Sequence, residues 1–427
     1  MAKPASPFSF RDFRFYWLAR FSTTIAQNAM VVVIGWQVYD IARGPLRMGA
    51  KQAAFQLGMV GVAQFLPLAA LTLITGWTAD RIDRRWIGRI VLLVEALCAV
   101  WLAYLAARGT TSLAAIYVVA VMLGVCRAFA NPAIGALAPN LVPPEVLPTA
   151  IAASSIAWQT GAIAGPALGG YLYAASHGAP YGVSALLFLV AAGSLMFIRP
   201  IPKTSLDRKA NPWRQMIDGL HYVRRNRIVL GAISLDLFAV LLGGATAMLP
   251  IYARDILMVG ASGLGHLRAA PAIGSAAMAF YFSVKPLRHN VGIKMLIAVA
   301  LFGACTVAFG LSTWMPLSLV CLAVLGACDM LSVYVRQSLI QIWTPNEMRG
   351  RVGAVSTLFI SGSNELGEAE SGLLAALIGA VPAVVLGGFG AIGITIIWSR
   401  LFPELVRART FDPPQTLEDI PGEEIAV

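Results

Sequence analysis

Three carboxylates, Glu365, Glu368 and Glu370, stand inside an apolar run over 352–381 that is long enough to cross a bilayer. A charged side chain at that depth costs about 2.5–3.5 kcal/mol on insertion scales, so such groups usually face water-filled cavities, pair with other charges or relay protons. On a helix turning about 100° per residue, Glu365 and Glu368 share a face with Ser361 and Gly372, while Glu370 points well away. The chemistry open to Glu365 and Glu368 is proton uptake and release, or attraction of a charged solute, at an aqueous surface within a membrane. Further charges lie in other apolar runs: Arg127, Asp236, Asp329 and Arg336, with Arg20, Thr24 and Gln27 along one face of the first run. Unpartnered buried charge is not tolerated, so these groups are expected to pair across the cavity. For each, a structural ion pair and a coupling or substrate role are both open.

Such residues need long membrane-spanning elements to hold them, and the composition supplies these. The chain has 427 residues, 58% hydrophobic and 12% charged, with a mean hydropathy of +0.73. A soluble protein carries about 25% charged residues. Twelve spans are predicted, over 15–41, 53–75, 88–108, 113–138, 149–175, 180–199, 229–252, 264–284, 291–311, 315–340, 351–379 and 382–402. Runs such as 290–311 do not alternate, which excludes a β-barrel. The expected fold is all-α integral membrane.

The net charge of +11 does not point to nucleic acid, because Arg and Lys gather in alternate loops: Arg81 to Arg89, Arg199 to Arg227, Lys285 to Lys294, Arg349 and Arg351, and Arg400 to Arg409. By the positive-inside rule both termini are expected in the cytoplasm of a multi-pass inner-membrane protein, with the basic loops touching anionic lipid heads. The five cysteines all fall within predicted spans and lack the spacing of a metal site. The first residues do not form a signal peptide, because no small-residue cleavage site follows a short apolar core. There is no GxxxxGK[ST], HExxH or nucleophile elbow, so catalytic residues, metals and cofactors are not expected.

Pro200 to Arg227 is the longest polar segment and divides six spans from six. The domain reading is a six-helix bundle over 1–199, a cytoplasmic linker over 200–228, a second bundle over 229–405 and an acidic, Pro-rich tail over 406–427 that is expected to be disordered. In the linker, Trp213, Met216, Ile217, Leu220 and Val223 recur at helical spacing, as in an amphipathic helix on a leaflet surface. A shift of 202 residues lays LGVC (123–126) on LGAC (325–328), VPPE (142–145) on TPNE (344–347), Ser154 on Ser356, Gly165 on Gly367 and Gly170 on Gly372, without a gap. Spans 4–5 and 10–11 thus take equivalent places in two parallel halves, the internal symmetry of a class of secondary transporters. The shift also sets Asp329 at the place of Arg127 and Glu368 at the place of Pro166.

Two short motifs carry a family resemblance. GWTADRIDRR, with Gly76, Asp80, Arg81, Arg84 and Arg85, resembles the cytoplasmic signature of the major facilitator superfamily, although its usual second Gly is Asp83 here. Physically, a tight turn offers a carboxylate to a helix N-terminus, a latch that can hold one side closed. GAIAGPALGG supplies Gly161, Gly165, Pro166, Gly169 and Gly170, a close-packing face that resembles the superfamily's exporter motif. Arg127 resembles the family's buried span-4 arginine, tied in exporters to proton movement. With FRFYWLARF, IGWQVYDI and TPNEMRGRVGAV, the chain is similar over most of 10–405 to the enterobactin-exporter-like branch.

The resemblance implies two pseudo-symmetric six-helix bundles and a monomer. It also implies a proton-coupled exporter of an amphipathic organic solute, siderophore-like or toxic, working by alternating access. Two alternatives stay open: an uptake or facilitated-diffusion carrier, and a non-transporting membrane sensor or scaffold. The partners expected are a small-molecule substrate, protons and lipid.

Overall fold

The computed structural model describes residues 6–411 except 82, 136, 138–140, 144–145, 201–211, 286 and 288. Within its helices, the side chains of 72–74, 76–81, 131–133, 135, 148, 152, 212–215, 346–347, 349–350, 354, 357, 361 and 365 also lie outside the description. The tail beyond 411 and residues 201–211 of the linker lie outside the described residues.

The first half is α1 (Arg11–Arg43), α2 (Ala50–Arg81), α3 (Arg84–Ala107), α4 (Leu113–Gly135), α5 (Leu147–Ala175) and α6 (Ala179–Met196). A linker helix, α7 (Pro212–Arg225), follows. The second half opens with α8 (Arg227–Leu242), which continues through a 3-10 turn (Ala245–Met248), a short α9 (Leu249–Ile251) and a π turn (Tyr252–Ile256). It goes on with α10 (Gly260–Val284), α11 (Val291–Leu311), α12 (Met315–Trp343), α13 (Asn346–Ile378), α14 (Ala380–Leu401) and a short α15 (Pro403–Arg407). Helix ends are set by local chemistry: Pro180 and Pro316 stand in the first turns of α6 and α12, where a missing N–H costs nothing.

Helix contacts repeat between the halves. In the first, α1 packs on α5 and α6, α2 on α4, and α3 on α4 and α6. Their counterparts pair alike: α8 on α13 and α14, α10 on α12, and α11 on α12 and α14. The halves meet along α2–α13 and α5–α10, two seams related by the same symmetry. Leu97, Leu186, Ile297 and Phe389 lie exposed on outer helices, as a lipid-facing surface requires.

The predicted spans correspond to α1–α6, to α8 with its broken extension, and to α10–α14. Among the described residues, eight of these segments are long and apolar enough to cross a membrane by composition alone. The other four, α1, α5, α10 and α13, are as long but carry the polar residues and the glycines that line the seams and the centre. The seventh span is not one continuous helix, because Gly243 and Gly244 interrupt it against α13. A Cβ on Gly244 would lie 2.9 Å from the Gly367 carbonyl oxygen, so the small residues let the broken segment approach. The linker helix docks by one side: Val223 and Met216 join Val229, Ile233, Val352 and Val355 in a small core, while Ile217 and Leu220 stay exposed.

Candidate functional site

The polar residues gather in a layer across the middle of the molecule and in a latch at one end. In the first half, α1 and α3 bring Gln27 to Glu95: the amide Nε2 donates to the carboxylate Oε1 at 2.9 Å. Glu95 is fully buried, its second oxygen has no hydrogen-bond partner, and it lies within electrostatic reach of Arg127 on α4. Sequence reading singled out Gln27 and Arg127 but passed over Glu95, the group that joins them. Its signal was present, a lone carboxylate in the run RIVLLVEALCAV.

In the second half Asp236 on α8 forms an ion pair with Arg336 on α12, and both are almost completely buried. Asp329, two turns before Arg336, lines the same small pocket as Asp236, with Ser332 and Cys328. The three charged residues thus form one cluster within this half. Glu368 stands elsewhere, on α13, and acts electrostatically on Arg268 of α10. Arg268 has a buried Nε with no hydrogen-bond partner.

Helix geometry sorts the three glutamates of α13. One stripe, with Gly362, Ala369 and Gly372, faces Phe65 and Gly58 of α2; another, with Gly367 and Ser371, faces α8 and its 3-10 extension. A third stripe, with Leu366, Leu373 and Leu377, is exposed. At about 100° per residue, Glu370 falls beside the exposed leucines, and Glu368 falls in the opposite arc, between the α2 and α8 stripes. From that arc Glu368 lies within electrostatic reach of Arg268 on α10. Glu365 occupies a backbone position at the edge of the α2 stripe; its side chain is outside the described residues.

Of the loop motif, Gly76, Asp80 and Arg81 sit within the last two turns of α2 with their side chains outside the description, and Arg84 opens α3. The departure from the usual glycine has a local use. Asp83 is the N-cap of α3, its Oδ1 accepting from Arg85 N at 3.0 Å. The Arg85 guanidinium beside it holds the Asp83 carboxyl below the usual range. Arg85 also donates to the Ile198 carbonyl (2.8 Å) and Arg89 to the Leu195 carbonyl (2.8 Å), tying α3 to the end of α6.

The glycines of α5 lie on two seams. A Cβ on Gly161 would meet Thr24 at 2.7 Å, on Gly165 the Ile25 carbonyl at 2.7 Å, and on Gly169 the Ala29 carbonyl at 2.9 Å, all on α1. Gly170 instead faces α10, 2.5 Å from the Ala261 carbonyl and 3.0 Å from Gly265 Cα. Pro166 lies inside the helix between them, with its carbonyl against Gly265.

At the end of the molecule away from the linker helix, the halves are fastened to each other. Asp40 of α1 pairs with Arg254 of the π turn. Arg43 Nε lies 3.2 Å from Asp255 Oδ2, and the Tyr39 hydroxyl donates to the same oxygen at 2.6 Å. Tyr171 and His266 share a hydrogen bond across α5–α10, and Lys51 Nζ donates to the Leu377 carbonyl at 2.7 Å across α2–α13. Below them Gly58 and Gly372 touch, a Cβ on Gly58 lying 2.8 Å from Gly372 Cα. In the sequence Arg43 and Arg254 stand at span ends far apart in the chain, and nothing there links them.

Two symmetric six-helix halves, meeting at two helix seams around a layer of buried charge, define a multi-pass carrier of the major facilitator superfamily. The profile of the transmembrane secretion effector family matches residues 2–414, and the chain belongs to that family. It is 26% identical over 414 residues, 95% of each chain, to the enterobactin exporter EntS of Escherichia coli O127:H6. Among solved structures it resembles the D-xylose–proton symporter (TM-score 0.71, 12% identity, 92% of this chain and 98% of that one). It also resembles the nucleoside transporter NupG in its D323A mutant (TM-score 0.69, 13% identity, 92% and 100%). These likenesses establish the fold and support a secondary transporter of a small molecule.

Proposed function

We propose that this protein is a proton-coupled exporter that moves an amphipathic organic solute, siderophore-like or toxic, from the cytoplasm outward by alternating access. The observation that carries the reading is Glu368, a carboxylate on the central arc of α13 opposite Arg268. Protonation of such a group changes the charge of the central layer, so proton binding and solute binding can exclude each other. Glu365, one turn earlier, extends the acidic path. Arg127 with Glu95 and Gln27, and the Asp236–Arg336–Asp329 cluster, hold the charge balance of the two halves and offer polar contacts to the solute. Gly76, Asp80, Arg81 and Arg84 form the cytoplasmic gate, and the α5 glycines with Pro166 form the surface on which α1 and α10 slide.

Both termini lie on the cytoplasmic side, so the latch of Asp40, Arg43, Arg254, Asp255 and Tyr39 is the outer gate, drawn closed. Ion pairs at this exposure are worth about 1 kcal/mol at most. A gate so held opens readily, as a carrier needs. Asp255→Ala removes one pair and the Tyr39 hydrogen bond, and it is expected to raise the outer-open share about fivefold. Spin labels at the exposed Leu46 and Met258 would report this as a longer distance component. An unchanged distribution means that the latch does not hold the gate.

The name of the enterobactin exporter it resembles makes enterobactin the first probe. In everted membrane vesicles, a proton gradient is expected to drive enterobactin or a toxic dye into the lumen, and an ionophore is expected to abolish it. Gradient-insensitive equilibration of all such probes would favour the facilitated-diffusion reading.

A further inference from the structure

A second pocket lies far from the central layer, at the linker end of the second half. It has a volume of about 780 Å³ and is walled by Tyr222, Trp343 and Ile228, with Arg225, Arg227, Arg407 and Arg409 around it. Four guanidiniums face a single carboxylate, Glu404. Arg227 is already committed: its Nε donates to Glu404 Oε1 at 2.8 Å and its Nη2 to the Leu401 carbonyl at 2.8 Å. Arg225, Arg407 and Arg409 are exposed, and among the described residues no carboxylate pairs with them.

The backbone adds to this field. Asn226 and Arg227 open α8, a 16-residue helix, into the pocket. The Asn226 side chain caps the Val229 N–H at 3.2 Å, and the N–H groups of Arg227 and Ile228 have no acceptor within the helix. A helix N-terminus favours phosphate oxygens, and arginine forks match their geometry. The aromatic wall is fixed: Tyr222 donates to the Trp343 carbonyl at 2.7 Å, and the Trp343 indole donates to the Phe411 carbonyl at 2.8 Å. The main chain of Arg409 is pinned as well, its carbonyl accepting from Asn290 N at 2.6 Å. This is a rigid frame with free cationic tips.

We infer that this pocket binds a phosphate-bearing anion, held by Arg225, Arg407 and Arg409 over the first turn of α8. Two sources share that chemistry: the headgroup of an anionic phospholipid at the membrane surface, and a soluble phosphate compound. Neither the site nor its ligand depends on the transport reading, since no residue of the central layer takes part.

The test uses the delipidated full-length chain and native mass spectrometry, with phosphatidylglycerol, phosphatidylcholine and pyrophosphate as separate probes. Phosphatidylglycerol or pyrophosphate is expected to bind and phosphatidylcholine is not. Each of Arg225→Gln and Arg409→Gln is expected to weaken binding about fivefold. Arg409→Lys, which keeps the charge but not the fork, is expected to weaken binding less than Arg409→Gln, and Arg199→Gln, which removes a charge from the other half, should bind as the unaltered chain does. Binding of phosphatidylglycerol alone assigns the site to lipid, and binding of pyrophosphate assigns it to a soluble phosphate. Equal binding by the unaltered chain and both glutamine variants overturns the inference. So does binding that emerges only when Asp412, Glu418, Asp419, Glu423 and Glu424 are replaced by their amides, because the chain's own acidic tail is then the occupant.

Discussion

Arg336→Ala is expected to destabilise the protein by about 3–5 kcal/mol, the largest single-residue effect anticipated for this chain. Arg336 and Asp236 are exposed by only 2% and 5%, and removing the guanidinium leaves a carboxylate buried between α8 and α12 with no cation beside it. Asp236→Ala leaves the mirror-image defect and is expected to cost a similar amount. The double change, Arg336→Met with Asp236→Leu, removes both charges and fills the space with apolar groups. A buried pair replaced by apolar groups is often neutral or stabilising, so the double variant should recover most of the loss. Thermal unfolding in detergent would show this as a large fall in midpoint for each single variant and recovery for the pair. Equal losses in all three would mean that packing, not charge, sets the stability of this cluster. The double variant also separates structure from function: a folded double variant that no longer transports assigns the cluster a part in coupling or solute binding.

Glu368→Gln is expected to lower proton-driven efflux at least about a hundredfold while leaving the fold intact. Glutamine keeps the shape of the side chain and its hydrogen-bonding capacity, but it holds no exchangeable charge. The position tolerates this change, because Glu368 is half-buried on the central arc of α13 and has no ion pair at bonding distance among the described residues. A coupling group lost in this way stops the exchange of proton for solute without stopping solute binding. Solute-induced stabilisation should therefore survive in Glu368→Gln, while pH-dependent flux should not. Glu365→Gln is expected to act in the same direction. Glu370→Gln should have little effect, because that residue stands beside the exposed leucines of α13. Undiminished pH-dependent efflux in the Glu365→Gln, Glu368→Gln double variant would remove these residues from the mechanism.

The helical frame was legible in the sequence because apolar runs of membrane length have few other meanings. The span over 291–311 is α11 to the residue. The seventh span shows what hydropathy misses: Gly243, Gly244 and Pro250 are ordinary in membrane helices, and only the proximity of Gly367 and Ser371 turns them into a break. The gapless 202-residue repeat was readable, and the packing bears out the symmetry it implied, with α5 and α13 each packed on the first helix of its own half. Buried charges were legible as a cost, which singled out Asp236, Arg336 and Glu368. The same rule applied to Glu95 would have found it, but its neighbours form so strong an apolar run that the carboxylate was overlooked. The latch at the end away from the linker helix could not be read in advance. Asp40 and Arg254 are 214 residues apart, each looks like an ordinary charge at a span end, and only folding brings them together.

The most direct test of the central claim is whether solute flux moves protons. Proteoliposomes carrying the purified protein and an entrapped pH dye would be given enterobactin on one side only. The account predicts that solute moving down its gradient drives protons the opposite way, shifting the lumenal pH. Glu365→Gln and Glu368→Gln should abolish the shift. Solute flux by the unaltered protein with no accompanying pH change would contradict the account.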